Sequence, residues 1–194
     1  MTQSLPPDST EAQLVETLES ARAGDQKAFA HLFECYNGPI CSYLVHLVGN
    51  DEVGRDLAQE TFIRAWKGLL TIQGEVSFRP WLYRIATNVA RSYLKREQLM
   101  RWLPWTDNEM GTADVLRVAG PEEQAGEQEC IAQILGMLSP QNRTCLLLQH
   151  VAGFSQREIA TILGISEKSV SAYVSRGREQ FRLEYQRLKG VPLQ

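Results

Sequence analysis

The segment Ser155-Gln-Arg-Glu-Ile-Ala-Thr-Ile-Leu-Gly-Ile-Ser166 restricts the possible folds more than any other part of the chain. It sets two helix starts eleven residues apart with a glycine between them. Ser155 and Glu158 have the S-x-x-E spacing of a capping box, in which each side chain satisfies a backbone N–H left unpaired by the first turn. Ile159, Ile162 and Leu163 supply a short apolar stripe, and Gly164 ends the helix where a left-handed residue is needed. Ile165 is expected to plug the corner. Ser166 then caps a second helix whose inward positions read Val170, Val174 and Phe181. That layout is a helix-turn-helix. The outward side of its second helix offers Lys168, Ser171, Ala172, Ser175 and Arg176, with Ser169 and Arg178 adjoining. This face is small, polar and basic, so it can enter a major groove and meet base edges and phosphates. The competing reading is a helical hairpin that only packs.

Upstream, nearly everything else also reads helical. Leu14, Val15, Leu18 and Ala21 mark a helix over 10–23, stopped by Gly24. Asp25 caps another, with Phe29, Leu32, Phe33 and Tyr36 inward, expected to break at Asn37-Gly38-Pro39 before a short helix over 40–48. Asn50 or Asp51 starts the next, with Val53, Leu57, Ala58, Phe62, Ala65, Trp66 and Leu69 along one side. A long helix is predicted from about Arg79 to Leu99, with Pro80 in its first turn, where a missing N–H costs nothing. Residues 100–126 hold Pro104, Gly111, Gly120, Pro121 and Gly126 without a sustained period, the signature of a linker. Its Trp102 and Trp105 are unusual for a tether. Beyond it Ile131, Ile134, Leu135 and Leu138 point inward, and Ser139-Pro140 caps a helix running to about Val151. The expected fold is all-α: an N-terminal domain over 1–99, an irregular acidic linker over 100–126 and a helix-turn-helix domain over 127–194.

Charge sharpens this division. The net charge of −3 hides alternating blocks. Residues 1–62 carry net −7, 63–101 net +6, 102–126 net −4 and 127–194 net +2. Phosphate backbones require local positive potential, not a high overall pI. A chain acidic at one end and basic further on could hold a protein and DNA together. No run of 18 apolar residues suggests a membrane span, and the N-terminal residues lack the pattern of a secretory signal. The expected location is the cytoplasm. Cys35, Cys41, Cys130 and Cys145 form no CxxC pair. His31 and Cys35 share a helix face that Cys41 or His46 could complete, yet zinc sites usually use tighter paired spacing. The expectation is reduced thiols and no metal or other cofactor.

The predicted long helix carries a second constellation. Trp81, Leu82, Ile85, Ala86, Val89 and Tyr93 fall on one face, and Arg84, Asn88, Arg91 and Lys95 follow spacings of 4, 3 and 4 on the other. Cations one turn apart match a nucleic-acid backbone, and an amide among them can bond a base edge. Phe78 precedes them, and an aromatic ring beside cations suits unstacked, single-stranded bases. A solvated polar face remains the alternative. A third feature is the acidic helix start, where Asp56, Gln59 and Glu60 point away from the apolar side. No base–nucleophile pair joins them, so catalysis is not expected; protein docking or plain solvation remain.

These features in this order resemble the extracytoplasmic-function (ECF) sigma factors of the sigma-70 family. The likeness is carried by Gly24-Asp-Gln-Lys-Ala-Phe29, Asp56-Leu-Ala-Gln-Glu-Thr-Phe-Ile-Arg-Ala-Trp66, Phe78-Arg-Pro-Trp-Leu-Tyr-Arg-Ile-Ala-Thr-Asn88, Ala90-Arg-Ser-Tyr-Leu94 and Phe154 through Arg178. It implies a region 2-like and a region 4-like domain, core RNA polymerase and promoter DNA as partners, and no enzymatic activity. By the resemblance, Asp56, Gln59 and Glu60 contact the polymerase's largest subunit. The helix from Phe78 opens and reads the −10 element, with Asn88 near a flipped base and Arg84, Arg91 and Lys95 near the strand. Lys168, Ser169, Ser171, Ala172, Ser175, Arg176 and Arg178 read the −35 element. The acidic linker is similar to the segment that threads toward the polymerase active site. An anti-sigma protein is a further partner that the resemblance allows. Ser171 and Tyr173 stand where many members carry a basic residue, so the promoter sequence does not carry over. A free-standing repressor or activator, or a decoy that binds polymerase and never reads DNA, are the rival readings.

Overall fold

The three-and-four spacing of apolar residues is realised as eight helices in the computed structural model, which describes residues 11–72, 74, 77–100 and 122–189. They are α1 (Glu11–Arg22), α2 (Gln26–Val48), α3 (Asp51–Leu69), α4 (Phe78–Met100), α5 (Glu122–Met137), α6 (Pro140–His150), α7 (Gln156–Leu163) and α8 (Glu167–Lys189). No strand occurs among the described residues. The expected caps are in place. The Asp25 carboxylate accepts from the Lys27 amide at 2.8 Å, and the Asn50 side chain accepts from the Val53 amide at 2.9 Å. Both satisfy donors that a first turn leaves unpaired.

α2 departs from expectation: the break at Asn37-Gly38-Pro39 does not occur, and one helix runs through Pro39. Proline removes one backbone donor there, a local cost. Tyr36, Ile40, Tyr43 and Leu44, on either side of it, are all buried. Burying four large side chains along one helix outweighs one missing hydrogen bond. α4 reaches Met100 and α5 begins at Glu122; most of the expected linker, residues 101–121, lies outside the described residues. Trp102 and Trp105 lie outside the described residues.

α2 is the hub of the N-terminal unit, packed against α1, α3 and α4. Its approach to α3 is very close at Gly54, where a Cβ would fall 2.7 Å from the Val45 Cα. Tyr43, fully buried, shares a 2.9 Å hydrogen bond with the Thr87 hydroxyl, which also donates to the Tyr83 carbonyl at 2.8 Å. The polar atoms that α2 and α4 bury are thus paired, as burial requires. In the C-terminal unit α8 packs on α5, α6 and α7.

The two units are not separate bodies. α2 touches α5 and α6, α4 touches α7, and the buried apolar side chains of both form one continuous cluster. The Tyr83 and Phe154 rings meet edge to face at this junction, with centroids 4.9 Å apart.

Candidate nucleic-acid interface

The capping box at the start of α7 is complete: the Ser155 amide donates to the Glu158 carboxylate at 2.8 Å, and the Glu158 amide donates to the Ser155 hydroxyl at 3.3 Å. Gly164 ends α7 in the left-handed region at φ 66°. The Ser166 hydroxyl then accepts from the Ser169 amide at 3.1 Å and opens α8. Val170 and Val174 are buried, while Phe181 is only half-buried. Ile165 does not plug the corner, for 36% of it is exposed.

Along α8, Lys168, Ser171, Ala172, Ser175, Arg176 and Arg178 are exposed on the outer side. Ser169 is half-buried, and its hydroxyl lies 2.8 Å from that of Ser166. It serves as part of the cap more than as part of the open face. Arg176 lies 5.1 Å over the Tyr173 ring, and its Nε donates to the Ala172 carbonyl at 3.2 Å. Both contacts limit where the guanidinium can swing. Arg178 donates to the His150 ring at 3.3 Å. Partial burial and that guanidinium hold the imidazole pKa below its ordinary value, so the ring accepts as the neutral form.

α4 is unbroken, and Arg84, Asn88, Arg91 and Lys95 are all exposed on it. Leu82, Ala86 and Val89 are buried behind them, and Trp81, Ile85 and Tyr93 are half-buried. Phe78 is a correction. Only 3% of it is exposed, with its ring packed against Tyr36 and Trp81 at 5.3 and 5.8 Å. A ring in this position anchors the start of α4 and cannot stack on a base.

On α3, Asp56 and Gln59 are exposed and Glu60 is half-buried, ion-paired with Arg64 at 2.7 Å. Such an exposed i,i+4 pair contributes little and exchanges readily. Gln59 also lines an apolar groove of about 430 Å³ between α2 and α3, walled by Phe29, Phe33, Phe62, Ile63 and Trp66. Phe33 and Ile63 are 37% and 51% exposed there. Gln59 and open apolar surface thus adjoin.

The four cysteines are free thiols. Cys35 Sγ lies 3.8 Å from His31 Nε2, and among the described residues no cluster of three or more metal-ligating side chains forms. Two functional-looking residues were not legible in the spacing: Arg79 and Arg143, whose guanidinium groups bond carbonyls in the other unit. Their partners lie 73 and 96 residues away, a separation that leaves no periodic signal.

One chain thus carries an exposed helix-turn-helix face, a cationic edge on α4 and an exposed polar and acidic face on α3. Two family models match: "Sigma-70 region 2" over residues 32–99 and "Sigma-70, region 4" over residues 128–181. The RNA polymerase sigma-H factor of Pseudomonas aeruginosa is 30% identical, covering 88% of this chain and 92% of its own length. The ECF RNA polymerase sigma factor BldN of Streptomyces coelicolor is 32% identical over 84% of this chain. The chain spans 62% of BldN's length. The solved structure of CnrH in complex with the cytosolic domain of CnrY shares the fold, with a TM-score of 0.67, 24% identity, and coverage of 89% of this chain and 96% of that one. This chain belongs to the ECF sigma factors of the sigma-70 family.

Proposed function

We propose that this chain binds core RNA polymerase, directs it to a restricted set of promoters and helps separate the strands there. The observation that carries this reading is the open row Arg84, Asn88, Arg91 and Lys95 on unbroken α4, in the same chain as a helix-turn-helix with its outer face free. In this reading the N-terminal unit meets polymerase through Asp56, Gln59, Glu60 and the apolar groove beside them. The α4 row follows the phosphates of a separated strand, and Asn88 bonds a base turned out of the stack. Extruding a base costs a few kcal/mol, which the strand contacts must offset. The C-terminal unit reads the −35 element with Lys168, Ser171, Ala172, Ser175, Arg176 and Arg178. Binding energy, not an enzymatic step, performs this work, and no cofactor is called for. The cytoplasm is the site of action. Since the sigma factor RpoE of Bartonella quintana was solved in complex with the anti-sigma factor NepR, an anti-sigma protein is a further partner by likeness.

Run-off transcription with core polymerase on a library of randomised promoters tests the reading. Selected templates should share two separated motifs, and Asn88→Ala should lower strand opening, followed by permanganate reactivity, while polymerase binding holds. Tight binding of the purified chain to promoter duplex without polymerase would favour a free-standing regulator. Arg84→Ala and Arg176→Ala chains that transcribe as well as the parent would favour a decoy.

A further inference from the structure

Three arginines in the middle of α8 each have a different partner. Arg182 faces the Glu179 carboxylate at 3.5 Å, and Arg178 bonds the His150 ring at 3.3 Å. Arg176 instead meets an aromatic face. Its guanidinium carbon lies 5.1 Å from the centre of the Tyr173 ring, one turn earlier on the helix. A cation within about 6 Å of such a centre is attracted by the negative face of the ring. The Arg176 Nε also donates to the Ala172 carbonyl at 3.2 Å. Tyr173 is half-buried and packs against the buried cluster, so its ring is a fixed seat for an exposed side chain.

These contacts fix direction as well as position. A guanidinium donates from Nε, Nη1 and Nη2. With Nε engaged by a backbone carbonyl, the edge left for a ligand is the outer pair, Nη1 and Nη2. That fork matches two oxygens of one phosphate. An unrestrained arginine loses rotamer freedom when it binds, so one already held binds more tightly for the same charge. Ser171, Ala172 and Ser175 on the same outer side are small and exposed, which leaves a duplex room to approach.

We propose that Tyr173, which lies outside the residues assigned to DNA above, is a positioning residue for promoter binding. Its ring holds Arg176 so that the Nη1–Nη2 edge takes one phosphate of the duplex. This rests on the reading of α8 as the −35 face. The role has a signature distinct from that of a charge. Losing a cation lowers both the affinity and its salt dependence, because counterion release follows charge. Losing the seat lowers the affinity alone.

Filter binding of promoter DNA by the full chain on core polymerase, across a salt series, tests the role, with thermal melts to show that each variant folds. Tyr173→Leu keeps apolar bulk and removes the aromatic face. It should weaken binding about two- to fivefold with the salt slope unchanged. Tyr173→Phe retains the face and should bind as the parent does. Arg176→Ala should reduce the slope by about one, and adding Tyr173→Leu to it should cost nothing further. In the free chain, the Arg176 Nε–H resonance should carry a ring-current shift with Tyr or Phe at this position and lose it with Leu. Should Tyr173→Leu not fold, Tyr173→Met takes its place.

A parent without the ring-current shift overturns the role. So does Tyr173→Leu binding as tightly as the parent while Arg176→Ala weakens. A further loss in the double variant would mean that Tyr173 touches DNA itself, which also overturns it. If Arg176→Ala changes nothing, the −35 reading of α8 fails and the role falls with it, whatever the resonance shows.

Discussion

At Ser155 one hydroxyl and one amide hold the Glu158 carboxylate at 2.7 and 2.8 Å. Those two bonds, with a smaller contribution from Arg79 and against partial desolvation, keep its pKa below the ordinary carboxylate value. A depressed folded-state pKa means that the unfolded chain binds the proton more readily. Its stabilising contribution is therefore present above the ordinary carboxylate pKa and lost as pH falls through the depressed value. Ser155→Ala should cost about 1 kcal/mol at neutral pH. The gap between variant and parent should narrow below about pH 4, as urea midpoints at the two pH values would record. Arg176 belongs to the same scale. Its exposed guanidinium should take one phosphate, so Arg176→Ala should weaken promoter binding and reduce the salt slope by about one. Filter binding across a salt series measures that slope.

Among elements, the α2–α3 contact has the least tolerance. A Cβ at Gly54 would lie 2.5 Å from Val45 Cγ2 and 2.7 Å from Val45 Cα. A methyl group there meets backbone, which cannot rotate away, so the helices must move apart. Gly54→Ala should destabilise the chain by about 1–3 kcal/mol, read as a fall in the denaturation midpoint. Separating α2 from α3 would also widen the apolar groove walled by Phe29, Phe62 and Trp66 beside Gln59. Weaker polymerase binding should accompany the lost stability.

For the whole molecule, the continuity of the buried cluster matters more than the division into units. Phe154 is 2% exposed, and its ring meets Tyr83 from α4 and the Arg79 guanidinium. Burial pushes the Tyr83 hydroxyl pKa up to about 12, so this junction stays neutral at Tyr83 under any physiological condition. Phe154→Ala should remove about 3–5 kcal/mol. It should also split a single unfolding transition into two, because the ring is shared between the halves. Differential scanning calorimetry separates those outcomes.

Helix positions, caps and the two outward faces were set by local rules. A capping box needs only Ser155 and Glu158 at the right spacing, and the α4 row needs only a period of 3.6. These features depend on neighbours within one or two turns, so the order of residues carries them. The family resemblance was equally legible, because its motifs are contiguous. What the order of residues did not determine depends on distant partners. Phe78 reads like an exposed aromatic beside cations until Tyr36 and Trp81 close over it. Pro39 reads as a break until the burial of Tyr36, Ile40 and Tyr43 overrides its missing donor. Arg79 and Arg143 have no local pattern at all, since each bonds a backbone carbonyl, which every residue possesses. Only the packed chain decides which carbonyl comes within reach, for that is a question of how α2, α4 and α6 lie together and not of any spacing along one of them.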